Sequence, residues 1–129
     1  MAKILVIEDD PSQRDFYTQL LYYNGFDVEH APDAENGIKL ALSFRPDVIL
    51  MDVRLPGEMD GLDATTLFKS SPTIGKVPII CMSAYDVDTS RVARAGGDGF
   101  LQKPFAGEIL IRAVRKFTGW NNSDRGLPN

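Results

Sequence analysis

The sequence predicts an α/β fold: a parallel five-stranded sheet covered by helices on both faces, in a doubly wound three-layer sandwich. Three observations predict it. The runs Ile4-Leu5-Val6-Ile7, Val48-Ile49-Leu50-Met51 and Val77 to Met82 are mostly apolar without alternation, as strands buried on both faces must be. Each leads into a segment with helix start signals, so that strand and helix alternate along the chain, and right-handed crossovers then make the sheet parallel and the packing three-layered. Each run also ends in a residue able to do chemistry, and ligands of open α/β sheets bind just beyond the carboxyl ends of the strands.

The first run finishes in Glu8-Asp9-Asp10, and Pro11 follows. Asp10-Pro11 reads as an N-cap with proline at the first helical position. The helix then extends to about Asn24, with Phe16, Leu20 and Tyr23 as its inner stripe, and Gly25 ends it in the left-handed conformation. Phe26-Asp27-Val28-Glu29-His30 alternates as a strand at the sheet edge does. His30, the single histidine, reads there as a half-buried packing residue. Asp33 caps a second helix whose Ala34, Ile38, Ala41 and Leu42 form one face before Arg45-Pro46 stops it. The run from Val48 then delivers Asp52. A loop with Pro56, Gly57 and Gly61 precedes a helix carrying Leu62, Leu67 and Phe68, which Ser70-Ser71-Pro72 ends. The third run, with Pro78 near its start where a missing donor is tolerated, delivers Ser83. A short helix near Asp88 to Ala95 leads through Gly96-Gly97 into the strand Gly99-Phe100-Leu101-Gln102, which delivers Lys103-Pro104. A last helix from Phe105 to about Thr118 buries Ile109, Leu110, Ala113, Val114 and Phe117.

Residues 1–118 thus form one domain. Residues 119–129 lack periodicity and read as a flexible tail or linker stub, with Trp120 able to dock on the body. A chain of 129 residues that is 43% hydrophobic and 25% charged, with a net charge of -4, has a soluble globular balance. That acidic balance argues against nucleic acid as a direct partner. The single cysteine, Cys81, lies inside an apolar run and reads as a buried thiol rather than a disulfide partner or metal ligand. There is no apolar stretch of membrane-spanning length and no signal peptide, so the expected location is cytoplasmic.

The strand order 2-1-3-4-5, the flavodoxin-like arrangement, would bring Glu8-Asp9, Asp52, Ser83 and Lys103 to one edge of the sheet. A lone Asp at a strand end is an ordinary turn residue; three acids, a hydroxyl and a lysine converging at one switch point are a site. Two carboxylates about 5 Å apart repel by roughly 3 kcal/mol at an effective dielectric of about 20, and a divalent cation relieves that. Hard oxygen ligands with room for water suit Mg²⁺ best, with Mn²⁺ as a substitute. Lys103 supplies a movable positive charge and Ser83 a hydroxyl donor for an oxyanion. A phosphoryl group fits that description, with Asp52 best placed to be the nucleophile.

With these residues in view, the chain closely resembles a response-regulator receiver domain of two-component signal transduction, chemotaxis-regulator-like, over Lys3 to about Thr118. The resemblance rests on Glu8-Asp9 after the first strand, on Asp52 followed by Pro56 and Asp60-Gly61, on Ser83-Ala84, and on Lys103-Pro104-Phe105. It implies that Asp52 is the phosphoacceptor, that Asp9 binds Mg²⁺ directly with Glu8 acting largely through water, and that the Arg54 carbonyl is a further metal contact. Ser83 and Lys103 would hold the phosphoryl group, and the Lys103-Pro104 bond would be cis. The donor implied is a phosphohistidine on a sensor histidine kinase or histidine phosphotransfer protein. Such a domain is a signalling module that promotes its own phosphorylation and dephosphorylation rather than an enzyme acting on a separate substrate. Two features depart from the common pattern. The stretch from Pro56 to Gly61 is one residue longer than usual, and Ala106-Gly107 stands where a capping residue is expected, so the last helix should start loosely. Asp10 could be a third metal acid, but its place before Pro11 favours capping.

Three rival readings share parts of this pattern. A Mg²⁺-dependent aspartyl-phosphate phosphatase of the haloacid-dehalogenase type needs a second acid two residues after the nucleophile, where Arg54 stands. A flavodoxin-like cofactor binder needs a Ser/Thr/Gly-rich loop where Glu8-Asp9-Asp10 stands. A non-phosphorylated scaffold receiver would have lost site positions, and none of the five is lost. The expected output surface is the fourth helix, fifth strand and fifth helix, switched by Ser83 and Phe100 and made basic by Arg91, Arg94, Arg112, Arg115 and Lys116. An acidic partner or a homodimer with Asp or Glu opposite suits it; the bland alternative is a solvated surface.

Overall fold

The computed structural model describes residues 1–119. Its elements alternate: β1 (Lys3–Ile7), α1 (Pro11–Tyr23), β2 (Asp27–Ala31), α2 (Ala34–Phe44), β3 (Val48–Asp52), α3 (Gly61–Lys69), β4 (Ile79–Ser83), α4 (Thr89–Ala95), β5 (Gly99–Gln102) and α5 (Gly107–Thr118). The five strands pair in parallel in the order β2-β1-β3-β4-β5, so the expected fold class is the one observed.

Strand periodicity divides the core into two halves. Leu5, Ile7, Ile49, Met51, Ile79 and Cys81 point to the side covered by α2, α3 and α4. Ile4, Val6, Val48, Leu50, Ile80 and Met82 point to the side covered by α1 and α5. Because the central strands are buried on both faces, each needs an uninterrupted apolar run, which is the pattern β1, β3 and β4 carry. Cys81 is buried and free, as expected.

Helix starts follow the caps. Asp10, Asp33, Asp60 and Asp88 each accept a backbone N–H from the first turn of α1, α2, α3 and α4. Ala106 gives α5 no such bond, and that helix begins at Gly107 rather than at Phe105. Gly25 has φ of 92°, and Arg45 takes the left-handed conformation at the end of α2.

The sequence reading needs several corrections on helix faces. The inner residues of α1 are Tyr17 and Leu21, whereas Phe16 and Tyr23 are 52% and 73% exposed and Leu20 is only partly buried. The α1 sequence pairs apolar neighbours (Phe16-Tyr17, Leu20-Leu21, Tyr22-Tyr23), so two stripes about 100° apart are equally apolar, and docking on the sheet selects one. Leu42, Leu67 and Ile109 are likewise exposed. On α2 the covered face runs through Ala34, Gly37 and Ala41. Gly37 is required there because a Cβ would strike the Ile7 side chain. His30 is exposed beside the equally exposed Glu29 on edge strand β2, not half-buried. The tail beyond Gly119, including Trp120, lies outside the described residues.

Candidate phosphoryl-acceptor site

The carboxyl ends of β1, β3, β4 and β5 build the site. Asp52 closes β3 and is buried; its Oδ1 accepts the backbone N–H of Arg54 at 2.9 Å and its Oδ2 accepts from Lys103 Nζ at 3.0 Å. Glu8, directly after β1 and 1% exposed, accepts from the same ammonium at 2.6 Å through Oε1. Its other oxygen accepts the Asp10 backbone N–H at 3.3 Å. Asp9 is exposed at the rim. Glu8, Asp9 and Asp52 each offer a carboxylate oxygen within 4.8 Å of the others.

Backbone contacts set these positions. The Lys103 N–H donates to the Ser83 carbonyl at 2.8 Å, continuing the β4-β5 pairing to the site. The Lys103-Pro104 peptide is cis. Below Asp52, α3 begins against the strand end: the Gly61 N–H donates to the Val53 carbonyl at 2.8 Å, and a Cβ at Gly61 would collide with the Asp52 carbonyl. A side chain at position 61 would push α3 off the acid it braces. Asp60 and Asp63 complete a reciprocal capping box there, which explains the Asp60-Gly61 pair physically.

Three carboxyl groups crowd one ammonium in this cleft. Burial pushes the Glu8 carboxyl up to about 8, the adjoining Asp52 carboxylate adds to this, and Lys103 opposes it. For Lys103, burial works against the charged amine, but hydrogen bonds to Glu8 and Asp52 outweigh it and hold the amine above its ordinary value. Hard oxygen donors at this spacing, facing a cleft of about 320 Å³ that Asp9, Asp52 and Lys103 help to line, fit a small divalent cation. Asp10 is spent on capping: Oδ1 accepts from Ser12 N–H and Oδ2 from Gln13 Nε2.

Ser83 is fully buried at the end of β4, and its Oγ accepts the Tyr85 N–H at 3.1 Å. The Arg54 guanidinium lies over the Tyr85 ring at 4.2 Å, above the cleft. Phe100, partly buried, pairs in register with Cys81, two residues before Ser83, and packs on the α2-α3-α4 side. The fold therefore gathers Glu8, Asp9, Asp52, Arg54, Ser83 and Lys103 at one end of the sheet and leaves Phe100 one pleat repeat further in.

Sequence reasoning missed Gln13 and Tyr85. Gln13 Oε1 accepts from Lys103 Nζ at 2.7 Å. Its one sequence signal, Gln three residues after an Asp cap, reads as a capping box and points to helix geometry rather than to the lysine. Tyr85 had only its position two residues beyond Ser83.

Comparison with known proteins agrees with this geometry. The family model described as "Response regulator receiver domain" matches residues 4–115. The response regulator MprA of Mycolicibacterium vanbaalenii is 36% identical over 127 residues, which is 97% of this chain and 54% of that protein. The chain thus spans about half the length of the curated relatives it matches. Among solved structures, chemotaxis protein CheY4 of Vibrio cholerae superposes with a TM-score of 0.85 at 28% identity, covering 91% of this chain and 98% of that one. The receiver domain of the Pseudomonas aeruginosa sensor histidine kinase PA1611, solved with magnesium in its active-site cleft, gives 0.82 at 31% identity, covering 92% and 98%. With the family matched across nearly the whole described chain and the acids, hydroxyl and lysine gathered at one sheet edge, this chain belongs to the response-regulator receiver domain family.

Proposed function

We propose that the chain receives a phosphoryl group on Asp52 from a phosphohistidine of a sensor histidine kinase or phosphotransfer protein, in a Mg²⁺-dependent reaction, and thereby switches a partner-binding face. The carrying observation is the Lys103 ammonium held between Glu8 and Asp52 at 2.6 and 3.0 Å. A carboxylate oxygen of Asp52 attacks phosphorus and the phosphorus–nitrogen bond breaks. The bonding pair returns to the imidazole, and an acyl phosphate remains. Lys103 Nζ then holds a phosphoryl oxygen, and Ser83 Oγ, once its hydroxyl turns from the Tyr85 amide, donates to another. Asp9, Asp52 and the Arg54 carbonyl would hold Mg²⁺ or Mn²⁺, with Glu8 acting through water; the ion supplies charge neutralisation on the phosphoryl oxygens. The magnesium in the PA1611 receiver cleft supports that assignment. The same site hydrolyses its own acyl phosphate when water replaces the donor.

The face that responds is α4, β5 and α5. Arg91, Arg94, Arg112 and Lys116 are exposed on it, giving α4 and α5 a basic surface on an acidic chain that suits an acidic partner or a second copy.

The test is acetyl phosphate with Mg²⁺, read by intact mass. The wild type should gain one phosphoryl group and Asp52→Asn none. Equal labelling of Asp52→Asn would move the acceptor elsewhere.

A further inference from the structure

An ammonium has three N–H bonds, and Lys103 uses all three: Glu8 Oε1 at 2.6 Å, Gln13 Oε1 at 2.7 Å and Asp52 Oδ2 at 3.0 Å. Two of these acceptors belong to the acid site. The third comes from the first turn of α1. We propose that Gln13 is a positioning residue for phosphoryl transfer: with Glu8 it fixes two N–H bonds of Lys103, so that the third is aimed at the place where the phosphoryl oxygens of Asp52 will lie. The proposal rests on the reading of Asp52 as phosphoacceptor.

The glutamine is itself fixed. Its Nε2 donates to Asp10 Oδ2 at 3.0 Å, and its Oε1 also accepts the Tyr17 hydroxyl at 3.2 Å. Turning the amide over would set an NH₂ against the ammonium and a carbonyl against the Asp10 carboxylate, so only one orientation satisfies every partner. Asp10 is in turn pinned as the α1 cap by the Ser12 N–H at 2.9 Å. Tyr17 stacks on Phe105 with ring centroids 5.7 Å apart, and its ring lies 5.8 Å from Lys103 Nζ. Helix α1 therefore grips the lysine through an oxygen and an aromatic face, both set by the start of the helix.

This grip matters because a lysine stem is flexible and its ammonium has no preferred donor direction. Left with Glu8 and Asp52 alone, the amine has a free N–H and can rotate away from the reacting oxygens. Held by Gln13, it needs to exchange only one bond, from the Asp52 carboxylate to a phosphoryl oxygen, as the group arrives. The acceptor is neutral, so it orients the amine without adding another negative charge to a cleft that must receive an anion. Preorganised donors of this kind act on the transition state rather than on donor binding.

The experiment compares wild type with Gln13→Leu, and with Gln13→Met as an unbranched second variant, using acetyl phosphate over a range of concentrations at saturating Mg²⁺. The maximal phosphorylation rate should fall about tenfold, the low end of the effect of one hydrogen bond to a charged group, while the half-saturating donor concentration and the Mg²⁺ affinity stay within about twofold. In metal-free protein the ¹⁵N resonance of the Lys103 ammonium should shift and exchange faster in both variants. An unchanged maximal rate would overturn the proposal, as would a fall in rate matched by an equal fall in Mg²⁺ affinity, since that marks general damage to the site. Labelled wild type with unaffected variants sinks this proposal alone, whereas wild type that takes no label sinks the assignment of Asp52.

Discussion

Glu8 sits where burial and a neighbouring carboxylate both favour its neutral form, with a folded value of about 8 against an ordinary 4.5. In metal-free protein the folded state therefore keeps a proton that the unfolded state loses. Between about pH 4.5 and 8 the native chain binds more protons than the unfolded one, so stability falls as pH rises through that window. Lys103 stays charged throughout because its amine is held above its ordinary value, and it adds no slope there. Asp10 and Asp88 are lowered mainly by the side-chain hydrogen bonds from Gln13 and Ser90 that accompany their caps, so their effect appears only in more acid solution. Denaturant midpoints measured in chelator across this range should decline for wild type and be nearly flat for Glu8→Gln. A wild-type midpoint that rises with pH would mean that Lys103 keeps Glu8 ionised.

At the scale of elements, α5 is the helix whose start is least well held. Ala106 occupies its N-cap with extended backbone and no side-chain bond, while four other helices begin under an aspartate. The exposed position leaves room for a hydroxyl. Ala106→Ser should stabilise the protein by about 1 kcal/mol, seen as a higher urea midpoint with an unchanged slope. The same element carries the basic residues of the proposed output face, so a tighter start tests whether looseness at α5 contributes to switching: phosphorylation rates with acetyl phosphate should be unaffected. Helix α1 shows the other side of local reading. Its cap at Asp10 and its length were legible, but the stripe that faces the sheet was displaced by one residue.

Across the whole molecule, the proposed switch would join Ser83 to Phe100. In that proposal, turning the Ser83 hydroxyl toward a phosphoryl oxygen would free the Tyr85 amide and loosen the β4-α4 connection, and the partly buried Phe100 on β5 would be the aromatic to move inward. Phe has no hydroxyl to bond in that state, so packing alone favours it. Partial burial contributes about 1 to 2 kcal/mol, which biases two states roughly tenfold without locking either. Amide spectra with and without beryllofluoride should therefore show graded shifts at Phe100 and along α4 and α5. Shifts confined to the acid cleft would refute the coupling.

What the sequence determined by itself is local. Uninterrupted apolar runs name the central strands, because burial on both faces leaves no polar position. Aspartates before helical segments name the caps, and alternation of strand and helix makes the strands parallel, so that Glu8, Asp52, Ser83 and Lys103 all stand at carboxyl ends; the order 2-1-3-4-5 came with the family resemblance. Tertiary structure decided the rest. Which stripe of α1 is covered depends on the rotation at which the helix meets the sheet, and the paired apolar residues left that open. The lysine's third acceptor could not be read either: Gln13 and Lys103 stand 90 residues apart, and a glutamine in a helix's first turn looks the same whether its amide faces water or an ammonium. Only the packing of α1 beside α5 and the loop that follows β5 brings that oxygen to the lysine, since hydrogen-bond partners across a fold are set by geometry that no local pattern carries.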